Sequence, residues 1–187
     1  MKSFSRHTSL RVIASAFSGW DLSWQGLIDN KKGEWWLLGQ ILLICAHLIP
    51  AKPTTTIFQS AWPHVFVFIG TCLFFIGVIL AGKAFLSLGA SLSPLPQPKQ
   101  GASLITQGSY KHCRHPLYQA LLICSSGIFI AIGSLLHLAL FLSLSALLKS
   151  KAKKEEEQLK IKHSAYINYL KVTPAIFPNI PFLDWRN

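Results

Sequence analysis

Residues 117–148, "LYQALLICSSGIFIAIGSLLHLALFLSLSALL", carry no formal charge. One unbroken helix of that length would run ~45 Å, against a hydrocarbon core of about 30 Å. The run therefore has to break, and "AIGSLLH" (131–137) offers the place. The expected structure is a tight helical hairpin turning near Gly133 and Ser134, with spans at about 117–133 and 135–149. Two earlier apolar stretches add spans at about 35–50 and 62–82, the first edged by Trp35 and Trp36, residues that favour the headgroup layer.

The chain has 187 residues, 51% of them hydrophobic and only 13% charged, which is too apolar for an ordinary water-soluble domain. Apolar segments are spread along the chain rather than gathered into one anchor. The expected fold is an all-α integral membrane protein with about four transmembrane helices and a cytoplasmic C-terminal helical extension. Residues 1–34 alternate basic and bulky apolar residues and fit an interfacial amphipathic helix. Residues 35–187 form the membrane domain.

The net charge of +11 sorts by side. Lys2, Arg6, Arg11, Lys31 and Lys32 precede the first span; Lys83, Lys99, Lys111 and Arg114 follow the second; Lys149 through Arg186 hold most of the remainder; Lys52 falls opposite. The positive-inside rule then puts both termini and the 83–116 loop in the cytoplasm. A multi-pass protein is expected, in the cell membrane if the chain is prokaryotic. Attraction to anionic membrane lipids accounts for the basicity. No nucleic-acid partner is expected, because no Gly-rich or aromatic-interleaved basic pattern accompanies the charge. Oligomeric state is not legible. No metal site is expected either, since Cys45, Cys72, Cys113 and Cys124 have neither zinc-site nor redox spacing.

Two polar regions can carry chemistry, about 84–118 and 150–182. In the first, the alternating prolines of "SPLPQP" require extended backbone, and Gly108 begins a turn. Pro116 suits a first helical turn. Arg114 and His115 beside that helix start suit an anion, although basic residues and the tyrosines Tyr110 and Tyr118 are equally ordinary at a membrane boundary. In the second region, helical spacing places Glu155, Leu159, Lys162, Tyr166 and Tyr169 on one stripe, with Glu156 and Glu157 pointing away. Glu155 could face the protein body, or belong to a surface patch paired at i±4 with Lys151.

Together, "LITQGSYKHCRHPLY", the apolar hairpin and "KAKKEEEQL…YINYL…PNIPF" resemble the isoprenylcysteine carboxyl methyltransferase family. That family belongs to a wider group of membrane methyltransferases that includes phospholipid N-methyltransferases. The resemblance covers about Ala84 to Phe182. It implies an S-adenosylmethionine (SAM) pocket on the cytoplasmic side, roofed by the C-terminal segment. Arg114, His115, Pro116 and Tyr118 match the family's Arg-His-Pro-x-Tyr motif, and Tyr110 its Gly-x-Tyr tyrosine. Glu155 and Glu156 match its glutamate pair, while Leu159, Tyr166 and Tyr169 match the positions that follow. By this resemblance Tyr110, His115, Pro116, Tyr118, Glu155, Glu156, Leu159, Tyr166 and Tyr169 bind the cofactor, and Arg114 and Glu155 are catalytic. Ser109 stands where the family often has proline, and His163-Ser164 where it has Phe-Gly or Phe-Pro. The implied acceptor is lipophilic, such as the carboxylate of a prenylated cysteine or a related small lipid-like molecule. The alternatives are an NADPH-dependent reductase related to sterol reductases, or a non-catalytic membrane protein that keeps the pocket.

Overall fold

A computed structural model describes residues 24–53, 62–91, 93, 95–96 and 103–186. The interfacial helix expected over 1–34 lies mostly outside these residues, as does half of "SPLPQP". No strand occurs among the described residues. The α-helices are α1 (Trp24–Asp29), α2 (Glu34–Ala46), α3 (His64–Leu88), α4 (Pro116–Ile132), α5 (Leu135–Lys162) and α6 (Tyr166–Val172). Short 3-10 turns lie at Gly89–Ser91 and Gly108–Lys111.

Only α3 and α5, among the described residues, are both long and apolar enough to cross a membrane. Most of the large apolar side chains of α3, such as Phe68, Phe75 and Ile79, are exposed. A helix apolar all round with its surface uncovered belongs in lipid rather than water. The expected spans shift in detail. α2 stops at Ala46 and, with 13 residues, reaches only ~20 Å. α3 runs on to Leu88, six residues past the expected 82, because nothing in "KAFLSL" breaks a helix before Gly89, whose φ is +50°.

The hairpin turns where its sequence demands. Gly133 closes α4 in the left-handed region at φ +67°, and Ser134 caps α5 by accepting from the Leu136 N–H at 3.2 Å. The space a side chain at Gly133 would need is filled by Trp62, whose indole N–H donates to Ile130 O at 3.1 Å. Gly133 is thus a cap, whereas Gly70, Gly77 and Gly127 pack helices. A Cβ on Gly70 would collide with the Gly127 carbonyl, and one on Gly127 with the Phe74 backbone. Gly77 meets Cys124 and Ala120, so α3 and α4 run antiparallel with backbones in close approach.

His47 and His137 are buried in the bundle. The His47 Nδ1–H donates to Leu43 O at 2.7 Å, leaving Nε2 to accept from the Ser125 hydroxyl at 2.6 Å. His137 Nε2–H donates to His47 O at 3.2 Å. These bonds fasten the end of short α2 to α4 and α5. Beyond the hairpin, residues 173–185 fold back as a strap across the start of α4. Ile176 and Leu183 of this strap join Tyr118, Leu122, Leu144, Leu148 and Ala152 in the buried apolar core.

Candidate functional site

The site forms where the start of α4, the charged outer half of α5, α6 and the strap converge. Pro116 occupies the first turn of α4, and His115 precedes it as N-cap with φ −125°. The two amides just before this helix start are taken by the strap. Arg114 N–H donates to Pro174 O at 2.9 Å and His115 N–H to Ala175 O at 3.0 Å. The Gln119 side-chain amide Nε2 donates to Ile176 O at 2.8 Å. Strap carbonyls complete these donors.

Arg114 is buried and not an exposed boundary charge. Its Nε donates to Glu156 Oε1 at 2.8 Å, and Nη1 donates to Leu170 O at 2.8 Å and to Thr173 O. His115 Nε2 donates to the same Glu156 oxygen at 2.9 Å, while its Nδ1 lies 3.7 Å from Glu155 Oε2. The ring stacks on Tyr118 at 5.4 Å between centroids. The Tyr118 hydroxyl donates to Glu155 Oε1. Glu156 Oε2 accepts from the Trp185 indole N–H at 2.8 Å.

Two expectations about α5 change. Glu156 is not directed away but buried, because Arg114, His115 and Trp185 surround it. Glu157 is exposed as expected. The five-residue stripe also breaks: His163 is extended, α5 ends at Lys162, and Lys162 is exposed. Tyr166 and Tyr169 reach the site because the turn at 163–165 brings α6 back toward α4. There the Tyr169 hydroxyl donates to Tyr110 O, and the two α6 tyrosines meet edge to face at 5.7 Å.

A cavity of about 440 Å³ lies beside this cluster, within the range of small-molecule sites. Tyr110, Arg114, His115, Tyr118, Glu155, Leu159, Tyr166 and Tyr169 line it. Pro116 and Glu156 do not, and act from behind. Sequence reasoning missed four contributors. Lys151 lines the cavity and donates to Gln40 Oε1 at 2.8 Å, and Trp185 caps Glu156. Lys151 had a signal, its i−4 spacing from Glu155, but that spacing is equally ordinary on a solvated surface. Gln40 and Trp185 had none. The fourth is the strap's carbonyl row.

The two glutamates are held in opposite senses. Burial opposes ionisation of Glu156, but the His115 hydrogen bond and charge, the Arg114 guanidinium and the Trp185 N–H outweigh it. They hold the carboxyl down at about 2. For Glu155 burial wins and raises the carboxyl above its ordinary value, against the pull of Lys151, His115 and the Tyr118 hydroxyl. Burial lowers Lys151, with Glu155 opposing. Burial also raises the phenols of Tyr110, Tyr166 and Tyr169. The buried Cys113 thiol, pushed by burial up to about 12, donates to Ala175 O at 3.1 Å. It fastens the strap and is unsuited to be a nucleophile.

An apolar helical bundle with two helices able to cross a membrane, carrying a polar cluster that lines a cavity, defines a membrane protein. The sequence model of the phospholipid methyltransferase family matches residues 65–163, just over half of the chain, and the protein belongs to that family, within the membrane methyltransferases related to isoprenylcysteine carboxyl methyltransferase. The match takes in the Arg114–Tyr118 motif, the hairpin, both glutamates and Leu159. It excludes α2, α6 and the strap. No curated protein matches the chain.

Proposed function

We propose that the protein transfers a methyl group from SAM to a lipophilic acceptor at the cytoplasmic face of the membrane. One observation carries the cofactor assignment. Among the described residues, Arg114 Nη2 and the Tyr166 hydroxyl are buried with no hydrogen-bond partner, and both residues line the cavity. Orphaned buried polar groups cost about 1–3 kcal/mol each, so two of them on residues lining one cavity favour a polar ligand that completes them. SAM fits this donor set. Its carboxylate suits Arg114 and the Tyr166 hydroxyl, its ammonium or ribose hydroxyls suit Glu155, and tyrosine faces suit its sulfonium.

When bound, SAM supplies an electrophilic methyl group, whose bond to sulfur breaks as the bond to the acceptor forms, the electron pair staying on sulfur. The residues of the chain would then do three things. Arg114, Tyr166 and Glu155 hold the polar ends. Glu156, itself neither lining the cavity nor titrating near neutrality, fixes Arg114 and His115 in place. The strap, tied by Arg114, Cys113 and Gln119, keeps water from the reacting atoms. Arg114 is thus a binding group as well as an anchor. A carboxylate acceptor requires no base, being ionised at neutral pH, whereas an ammonium acceptor would first pass a proton to His115 or Glu155.

The proposed topology has four membrane segments, with α2 and α4 too short to cross a full-thickness core unaided, and both termini cytoplasmic. Calorimetry on detergent-purified protein tests the cofactor. SAM should bind wild type and bind weakly or not at all to Glu155→Gln, with NADPH giving no heat. Folded wild-type protein that ignores SAM refutes the reading, and NADPH binding in its place establishes a reductase.

A further inference from the structure

The strap reaches back to membrane depth. Helix α5 carries no formal charge from Leu135 to Leu148, and Lys149 is its first charged residue, on a helix long and apolar enough to cross a bilayer. Charge is costly in hydrocarbon, so the edge of the membrane core lies near Lys149. Ile176 and Leu183 of the strap are buried in one cluster with Leu144 and Leu148, inside the charge-free stretch. The Lys149 ammonium sits over the Phe182 ring, 3.6 Å from its centroid. These contacts put the strap's turn, residues 177–183, where the surface of the bundle passes from hydrocarbon to headgroups.

The turn is tied at both ends. The Leu183 and Asp184 amides donate to Ile180 O, each at 2.8 Å, and the Ile176 amide donates to Leu183 O at 3.0 Å. Asn179, at φ +61°, donates its amide to Asp184 Oδ2 at 3.1 Å, and its Oδ1 accepts from Arg186 Nη2 at 3.3 Å. With Ile176 and Leu183 buried, this fixed backbone leaves Ile180 and Phe182 45% and 47% exposed at the tip. Water gives two large apolar side chains no reason to stand out from a hydrogen-bonded turn, whereas at membrane depth lipid covers them. Their apolar surface continues the lipid-facing surface of the bundle, and Lys149 beside them suits anionic headgroups.

We propose that the 177–183 turn inserts Ile180 and Phe182 into the headgroup layer of the adjoining leaflet, and that this contact holds the strap shut over the site. The partner is the lipid surface itself. Other fastenings of the strap, such as the Arg114 amide on Pro174 O and the Trp185 indole on Glu156, lie within the protein. Lipid adds a tie from outside that water cannot supply. The proposal rests on the membrane placement of α5 and not on the cofactor.

The test uses the full chain in nanodiscs of phosphatidylcholine and phosphatidylglycerol. Photoreactive benzoylphenylalanine is placed in turn at positions 180, 182 and 161, and lipid adducts are counted by mass spectrometry. Ile161 is the control, 79% exposed but ~18 Å along α5 from Lys149. Adducts should be several-fold more frequent at 180 and 182 than at 161. Alkylation of Cys113, which the strap buries, reads the closure. Ile180→Asp should speed it about tenfold, the scale of one large apolar side chain deprived of its apolar setting. Ile180→Leu and Ile161→Asp should label at the wild-type rate. Adducts no more frequent at 180 and 182 than at 161, adducts to a second copy of the chain in their place, or a Cys113 rate indifferent to Ile180→Asp, overturn the proposal even if SAM binds. Lipid adducts with Ile180-dependent labelling, in protein that binds no SAM, would uphold it and refute the cofactor reading instead.

Discussion

Glu155 and Glu156 approach the same histidine from its two ring nitrogens, Glu156 Oε1 at 2.9 Å from His115 Nε2 and Glu155 Oε2 at 3.7 Å from Nδ1. The nearer carboxylate is locked among Arg114, His115 and Trp185 and carries the structure. The farther one lines the cavity and is left to meet a ligand. Under the proposed function these adjacent glutamates divide support from binding, and the first two predictions below follow from that division.

Glu156→Gln should lower the melting temperature at neutral pH, since breaking a buried pair from one side costs on the order of 3 kcal/mol. The sign of the pH effect follows from the depressed carboxyl. Its folded value, about 2, lies below the ordinary 4.5. The stabilisation is therefore complete above 4.5 and is lost as pH falls toward 2. Melts in detergent across that window should show a shallower acid loss for the variant than for wild type. Parallel curves would contradict the assignment.

Glu155→Gln should behave oppositely. Burial already disfavours the charge on Glu155, so the neutral amide should melt within a few degrees of wild type. SAM affinity should nevertheless fall about tenfold, the value of one charge-assisted hydrogen bond. A variant that unfolds but binds normally when refolded would reverse the roles of the two glutamates.

Tyr166→Phe removes a buried hydroxyl that has no partner among the described residues. Stability without ligand should change by less than about 0.5 kcal/mol, or rise, because the orphaned group itself is costly. The measurable loss should appear only in cofactor affinity. Equal destabilisation with and without ligand would show that the hydroxyl has a structural partner.

Cys113 reports on the strap. The folded protein should alkylate there slowly, as the thiol is buried, held up at about 12 and bonded to strap carbonyls. Trp185→Ala removes the indole that ties the strap to Glu156 and should speed Cys113 labelling about tenfold or more through local opening. Peptide mapping separates this site from the exposed Cys45 and Cys72. An unchanged rate would mean that the strap is fastened elsewhere.

Gly127→Val tests the hairpin's seating. Its side chain would collide with the Phe74 backbone of α3, so the variant should be poorly folded in detergent. Gly82→Ala on the same helix α3, where nothing lies within 4 Å, should be tolerated; size-exclusion profiles distinguish the two.

Much of this was written in the sequence. A charge-free run too long for one span had to turn, and Gly133 with Ser134 gave the only local chemistry for a left-handed cap followed by an N-cap. Pro116 set the start of α4. The identities of most site residues came from motif order, and every one of them lies in or directly behind the cavity. These features are local: they depend on backbone preference, helix length and periodicity, which a linear string records. The tertiary structure alone decided how those residues divide their work. The stripe argument sent Glu156 outward because it assumed one helix and one buried face. In the folded chain α4 and the strap surround α5 on two sides, so consecutive residues can both be inside. The strap's use of the Arg114 and His115 amides, the Trp185 contact and the bond between Lys151 and Gln40 join residues far apart in the chain. No spacing encodes them, since each exists only after apolar packing has brought separate segments together.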